Sequence, residues 1–556
     1  MASAESEDIR SRTQQSPLAS QRAKENTNAP SEANRTGQMR GGYFPLGYKE
    51  GFSQWWAGLA PAATEHKVLS YIPYLQKPPT HTHTGSAPPS TSPSSTAVNI
   101  DFEREAKPIT TTSITDPYGP RRWHSNLVQL AGKNRYLNEF SVERVEEPVE
   151  NNLVMLHGYG AGLGFFYKNF EALSRVEGWK LYALDMLGMG RSSRPTFRIH
   201  AKDRQGKITE AENWFIDALE EWRVKKGIER FTLLGHSLGG YMAVAYALKY
   251  PGHLNKLILA SPVGIPEDPY AVNADMPEPE ESTLANEFTQ DQDSTTGDNN
   301  NFLNARNTDT TTTSGKPPRK PLPKWLTTLW DANISPFSLV RWSGPLGPRL
   351  VSGWTSRRFS HLPPDEARAL HDYSYSLFRQ RGSGEFALAY ILAPGAFARS
   401  PLIRRIQGVG RQVLAPRDGA TVDKSDARDG GRAIGNGDES RQKDRENGIP
   451  VVFLYGENDW MDIAGGYAAE RKLRDAQAAV LAASSSSSSS SSPSYSSSAA
   501  GGSGSEEQPR GRDNGDVKVL VIARAGHHVY LDGVDQFNRV VVEEMRDVEG
   551  RERRLG

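Results

Sequence analysis

A serine between glycines, in Gly235-His236-Ser237-Leu238-Gly239, has the residue types that acyl transfer requires. The glycines have a steric purpose. A nucleophile at the tip of a sharp strand-to-helix turn sits in strained backbone angles, and its neighbours must lack side chains for strand and helix to approach. Such a turn lifts the hydroxyl above a sheet and aims helix amides at the reacting carbonyl. A serine also needs a base, and the base needs an acid that fixes its tautomer. On an α/β scaffold these follow in the order serine, acid, histidine. Asp459 lies four residues past the apolar run Val451–Tyr455, in Gly456-Glu457-Asn458-Asp459. His527 lies five residues past Val517–Ile522, in Ala525-Gly526-His527. Glu457, Asp462 and His528 compete. Asp459 is preferred for its distance from the strand, and His527 for the small residues that let its loop fold inward. The tetrahedral oxyanion needs backbone donors. His157-Gly158-Tyr159-Gly160 directly follows the apolar run Leu153–Leu156, so the amides of Tyr159 and Leu238 are assigned that role.

These residues need elements to hold them. Short apolar runs at Leu153–Leu156, Leu181–Leu184, Phe231–Leu234, Lys256–Ala260, Val451–Tyr455 and Val517–Ile522 read as strands. Between them, Phe215, Leu219 and Trp222 recur at helical spacing within 212–226, Tyr241–Lys249 reads as a helix ended by Pro251, and a last helix covers 534–545. Apolar strands alternating with amphipathic helices predict an α/β fold, with a mostly parallel central sheet flanked by helices on both faces. Ser237, Asp459 and His527 then fall at carboxyl ends of strands, where such sheets place their chemistry.

Composition narrows the function. The 556 residues carry 66 basic and 66 acidic side chains, so no net charge favours a nucleic-acid partner. With no cysteine, a thiol nucleophile, a disulfide framework and thiolate metal sites are excluded. No window approaches the length of a membrane-spanning helix. The first residues lack an apolar signal core, which predicts an intracellular protein, peripheral on membranes. Polar stretches resist folding because they bury too little apolar surface. They divide the chain into a tail over 1–42, an aromatic segment over 43–75, a linker over 76–110 and a first core part over 111–262. A cap over 263–447 follows, with inserts at 276–320 and 413–447. The second core part covers 448–556, with a serine-rich insert at 483–515.

The segments HGYGAGLGFFYKNF (157–170), LDMLGMGRSSRP (184–195), LLGHSLGGYMAVAYALKYP (233–251), YGENDWMD (455–462) and AGHHVYLD (525–532), with SPVGIPE (261–267) and the run 381–406, resemble the α/β-hydrolase superfamily. The resemblance is narrower still. It points to the subfamily of the mammalian adipose-lipase coactivator, its lysophospholipase relatives and the fungal cardiolipin-specific deacylase. It implies an inserted helical cap and a nucleophile at Ser237, where the coactivator carries Asn and lacks hydrolysis. His527 and Asp532 reproduce the family's His-x4-Asp pattern, associated with acyl transfer to lysophosphatidic acid; Asp532 equally suits an anchor for the His527 loop, the reading favoured here. His157, Gly158, Gly160, Gly235, His236 and Gly239 complete the supporting motifs.

Large apolar residues in the cap, Trp325, Leu326, Leu329, Trp330, Phe337, Leu339, Trp342 and Trp354 among them, suit a cap core, some of them lining an acyl-chain tunnel. Arg341, Arg349, Arg357 and Arg358 interleave with the tryptophans, as on a surface facing anionic headgroups or as ordinary solvated charges. Phe44, Phe52, Trp55, Trp56 and Tyr71 suit an interfacial anchor, with packing against the cap as the alternative. The expected activity is serine-dependent hydrolysis or transacylation of phospholipids or lysophospholipids, with no metal or organic cofactor. Acyl-CoA enters only as a cosubstrate of a transferase. A non-catalytic lipid-binding scaffold and a small-ester carboxylesterase remain alternatives, and the compartment stays open between mitochondrion, lipid droplet and cytosol.

Overall fold

The structure is a computed structural model that describes residues 44–75, 77–80, 108–113, 115–272, 335–393, 397–414, 444–487 and 513–555. The tail over 1–42, the insert over 276–320 and the cap residues Trp325, Leu326, Leu329 and Trp330 lie outside the described residues, as do most of the inserts over 413–447 and 483–515.

Strands β1 (Ile109–Ser113), β2 (Arg121–Gln129), β3 (Tyr136–Arg144), β4 (Asn151–Leu156), β5 (Trp179–Leu184), β6 (Phe231–His236), β7 (Leu254–Ala260), β8 (Pro450–Gly456) and β9 (Asp516–Ile522) form one sheet. Their spatial order is β1-β2-β3-β5-β4-β6-β7-β8-β9. The first three pairings are antiparallel and the remainder parallel. This is the expected α/β architecture. Alternate residues of each central strand enter separate cores. Val154 and Leu156 of β4 join Leu233, Leu257 and Phe453 on one face. Leu153 and Met155 join Leu234, Ile258 and Leu454 on the other. That double burial is why these strands read as unbroken apolar runs.

Strands β2 and β3 were not expected, because their buried residues are partly polar. Glu139 is buried on β3, where it accepts from Trp222 Nε1 at 2.7 Å and from Lys226 Nζ at 2.8 Å. A buried charge met by donors is stable in a sheet but invisible to a search for apolar runs.

Helix α1 spans Tyr48–Ala57, α2 Pro61–Leu69, α3 Arg204–Lys226 and α4 Leu238–Lys249. The cap contributes α5 (Pro336–Trp342), α6 (Gly347–Arg358) and α7 (Pro364–Phe378), and the second core part contributes α8 (Ile463–Ser487) and α9 (Val534–Leu555). Helix α3 begins two turns before the expected 212. The Asp203 carboxylate caps it by accepting the Gly206 N–H at 2.7 Å, and Gly227 ends it at φ 64°. Its first turns carry few apolar residues, so the helical period shows only later.

Several expected boundaries shift. Strand β1 starts inside the stretch read as a linker over 76–110, where its Thr-rich sequence finds β2 as a partner, and Pro78 and Pro79 are buried. Helix α8 runs on into the serine-rich insert over 483–515, and Asp513 at the far end of that insert pairs with Arg411 at 2.8 Å. The segment over 43–75 is not one anchor. Its second half is interior: Val68, Leu69, Ile72 and Leu75 are buried against the core. The exposed aromatics lie mainly on α1, with Trp56 75% and Phe52 50% accessible, and beyond it Tyr74 is 41% accessible. The cap arginines likewise do not form one surface. Arg341 pairs with Glu385 at 2.6 Å, while Arg358 is buried and pairs with Asp532 at 3.0 Å. Trp354 of α6 is buried and Trp342 at the end of α5 exposed, so the tryptophans of this run divide between core and surface.

Candidate active site

Ser237 stands at the junction of β6 and α4, with φ 53° and ψ −116°. A non-glycine residue is rarely held there, and such strain marks a functional turn. The glycines on either side are sterically required. A Cβ on Gly235 would run into the Gly239 carbonyl, and one on Gly239 would lie 2.6 Å from the Leu156 carbonyl oxygen. The Ser237 N–H donates to the Ala260 carbonyl at 2.9 Å, which ties the turn to β7.

Asp459 and His527 come from the loops after β8 and β9. Gly456 lets these loops touch, since a Cβ there would overlap the Gly526 carbonyl. The Asn458 N–H donates to Ala525 O at 2.8 Å, and the Glu457 N–H to Ile522 O at 2.9 Å. Across this brace His527 Nδ1–H donates to Asp459 Oδ1 at 3.1 Å, with both side chains buried. Asp459 Oδ1 also accepts the Met461 N–H at 3.0 Å, so the carboxylate is fixed from two sides. Trp460 covers the imidazole, its ring 4.7 Å from that of His527. His236 Nε2–H donates to the His527 carbonyl at 3.1 Å and so ties the histidine loop to the serine turn. With Nδ1 engaged by Asp459, Nε2 is the nitrogen that faces the proton-transfer task.

The competing residues are committed elsewhere. Glu457 accepts the Arg524 N–H at 2.7 Å and Asp462 the Ala464 N–H at 2.9 Å. His528 Nδ1 accepts from Arg358 Nε at 2.8 Å, and burial beside that guanidinium holds this imidazole well below its usual pKa. Asp532 anchors the loop, with Oδ2 accepting the Gly526 N–H at 3.0 Å and Oδ1 facing Arg358 at 3.0 Å and His361 at 3.5 Å.

The loop after β4 is shaped by His157. Its Nε2 accepts the Met186 N–H at 3.1 Å, so the proton sits on Nδ1, which donates to the Gly158 carbonyl at 2.7 Å. Burial lowers its pKa to about 4, which keeps the ring neutral and this tautomer in place. A trans peptide sets C=O and N–H in opposite directions. Pinning the Gly158 carbonyl therefore turns the Tyr159 N–H the other way. Gly158 lies against the nucleophile: a Cβ there would be 3.0 Å from Ser237 Cβ. Leu238 opens α4, so its N–H has no acceptor within the helix. Gly160, at φ 69°, leaves room for the cap: Tyr159 stacks on Phe337 at 4.8 Å and Phe337 on Phe378 at 4.3 Å. These cap contacts and the Arg358–Asp532 pair escaped sequence reading, for no local pattern marks residues so far apart in the chain.

Residues 151–481 match the model of the alpha/beta hydrolase fold family. An Arabidopsis thaliana 1-acylglycerol-3-phosphate O-acyltransferase is 32% identical over 64% of this chain and 65% of its own length. A human 1-acylglycerol-3-phosphate O-acyltransferase is 34% identical over 46% of this chain and 58% of its own. A Bos taurus (lyso)-N-acylphosphatidylethanolamine lipase is 27% identical over 70% of this chain and 78% of its own. The chain thus spans less than two thirds of the length of the two acyltransferases. It belongs to the α/β-hydrolase fold family.

Proposed function

We propose that this α/β hydrolase is a serine-dependent acyl hydrolase or transacylase that acts on glycerophospholipids or lysophospholipids at a membrane surface. The observation that carries the reading is the convergence of Ser237, His527 and Asp459 at the carboxyl ends of β6, β9 and β8, on one edge of the parallel sheet, with His527 bonded to Asp459 and tied through His236 to the serine turn. Ser237 Oγ attacks the ester carbonyl while His527 Nε2 takes its proton, and Asp459 stabilises the imidazolium. The oxyanion accepts from the Tyr159 and Leu238 amides. His527 then protonates the departing alcohol. Water or a lysolipid hydroxyl attacks the acyl-serine and passes its proton to His527, and the acyl–Oγ bond breaks as His527 returns that proton to Ser237, releasing a fatty acid or a new ester.

Lipid as substrate is supported by the names of the acyltransferase and lipase relatives. A membrane surface is supported by one apolar face. Tyr48, Phe52 and Trp56 of α1 and Trp342, Leu346 and Leu350 of the cap are all exposed. The two groups adjoin, because the Leu46 N–H donates to Ser352 at 3.3 Å and Arg349 lies over the Tyr48 ring at 3.8 Å. Aromatics grouped in this way favour the headgroup layer. The test incubates wild type and Ser237→Ala with labelled phosphatidic, lysophosphatidic and cardiolipin vesicles. Release or transfer of acyl chains by the wild type alone supports the reading. Equal turnover by both proteins removes it.

A further inference from the structure

Five side chains outside the triad meet beneath the loop that follows β4, each at most 1% accessible: Glu65, Asn138, Asp185, Arg191 and Tyr373. They come from distant places. Glu65 belongs to α2, ahead of the catalytic domain; Asn138 lies on β3; Asp185 and Arg191 follow β5; Tyr373 is in the cap helix α7. Glu65 Oε1 meets Arg191 Nη1 at 2.5 Å, and its Oε2 accepts from Asn138 Nδ2 at 3.1 Å and from the Tyr373 hydroxyl at 3.3 Å. Asp185 Oδ2 accepts from the Arg191 N–H at 2.7 Å and from Asn138 Nδ2 at 2.8 Å.

The cluster ends on backbone amides of the loop. Asp185 Oδ1 accepts the Leu163 N–H at 2.7 Å, and the Tyr373 oxygen accepts the Gly164 N–H at 3.3 Å. Because Tyr373 donates its proton to Glu65, a lone pair is left turned toward Gly164. The segment 158–164 contains four glycines, so only Tyr159, Ala161 and Leu163 bring side chains to hold it. Directional bonds to Leu163 and Gly164 supply what an apolar cluster cannot.

Burying two carboxylates beside one guanidinium is costly, and apolar residues of similar volume are often neutral or stabilising in such places. Burial pushes the Glu65 carboxyl up to about 7, despite the lowering effect of Arg191. A group kept at that cost suggests a task other than stability.

We propose that Glu65 is a positioning residue that fixes the loop carrying the Tyr159 oxyanion donor, so that the segment ahead of the catalytic domain is a working part of the site. The inference rests on the assignment of the Tyr159 amide in the proposed function. Glu65 acts through Tyr373, Asn138 and Arg191 and touches no reacting atom.

Two measurements on the full chain separate this inference from the reading beneath it. The first is hydrogen exchange across residues 158–164, which needs no activity. Glu65→Leu raises exchange at Leu163 and Gly164 by about tenfold or more, and Glu65→Gln, which keeps the shape and one acceptor oxygen but sets an NH2 where the other oxygen accepts, raises it less. The second is steady-state hydrolysis of a soluble p-nitrophenyl ester. Glu65→Leu lowers kcat by about tenfold or more with KM nearly unchanged, since an oxyanion contact acts in the transition state. Lys256→Met, which breaks an equally buried pair with Glu544, controls for lost stability and keeps the wild-type kcat. If Glu65→Leu does not fold, Tyr373→Phe takes its place in both measurements. Wild-type exchange at Leu163 and Gly164 in the folded variant overturns the inference, as does a wild-type kcat. Ser237→Ala hydrolysing the ester as fast as wild type instead overturns the underlying reading, and the exchange result then stands alone.

Discussion

Asp459 and Asp532 both lie near His527 in the fold, and the structure gives them opposite work. Asp459 receives the His527 Nδ1–H, whereas Asp532 faces Arg358, His361 and the Gly526 amide. Asp459→Asn keeps the shape but lets the imidazole take the wrong tautomer, a loss of about 10⁴ in kcat by the arithmetic of serine triads. Its stability cost is that of one hydrogen bond, about 1 kcal/mol. Asp532→Asn has the reverse profile. Removing one partner of a buried pair costs about 3–5 kcal/mol. Here the Asp532 side chain is 10% accessible and Arg358 keeps His528 as an acceptor, so about 2 kcal/mol is the better figure. In a chain of this size that lowers the melting temperature by about 2 °C. Hydrolysis falls only several-fold, as the loop loosens. The assay pairs thermal melts with ester hydrolysis and with acyl transfer to lysophosphatidic acid. Asp532→Asn abolishing transfer at an unchanged melting temperature would refute the reasoning, as would an active Asp459→Asn.

Three further outcomes follow from particular contacts. Burial holds His157 and His371 near pKa 4, and His236 and His528 well below the usual imidazole range. As pH falls from 6.5 the unfolded chain binds protons that the folded chain refuses, so stability drops toward acid. Glu65, raised from 4.5 to about 7, and the raised carboxyls of Asp185 and Asp372 oppose this, as three groups against five once His361 is included. Denaturant midpoints are therefore lower near about pH 5 than near about pH 7, and an equal or higher acid midpoint contradicts the assignment. Trp56→Asp, at a side chain 75% accessible, weakens cosedimentation with anionic vesicles and leaves hydrolysis of a soluble ester unchanged; undiminished cosedimentation counts against the docking face. Gly239→Ala places a Cβ 2.6 Å from Leu156 O and 2.7 Å from His157 O, so it costs about 1–3 kcal/mol and displaces the oxyanion loop. Full activity in that variant means the loop is not where the donors are held.

The parallel strands were legible because both of their faces are apolar: Leu153–Leu156 needs no partner to announce itself. The serine turn was legible because only glycine fits at 235 and 239. Strand β3 was hidden, since Glu139 is made compatible with burial by Trp222 and Lys226, residues more than eighty positions away. The cap arginines were misread for the same reason: a charge looks solvent-facing until its partner, Glu385 or Asp532, is known. The interior half of the 43–75 segment shared its aromatic density with the exposed half, and composition alone does not divide them.

The central claim is that Ser237 is a nucleophile activated by His527. The most direct measurement treats the purified full chain with a fluorophosphonate probe and maps the adduct by peptide mass spectrometry. The account predicts a single adduct on Ser237, lost in Ser237→Ala and strongly slowed in His527→Ala. A folded wild-type protein that takes no label at Ser237 would contradict it.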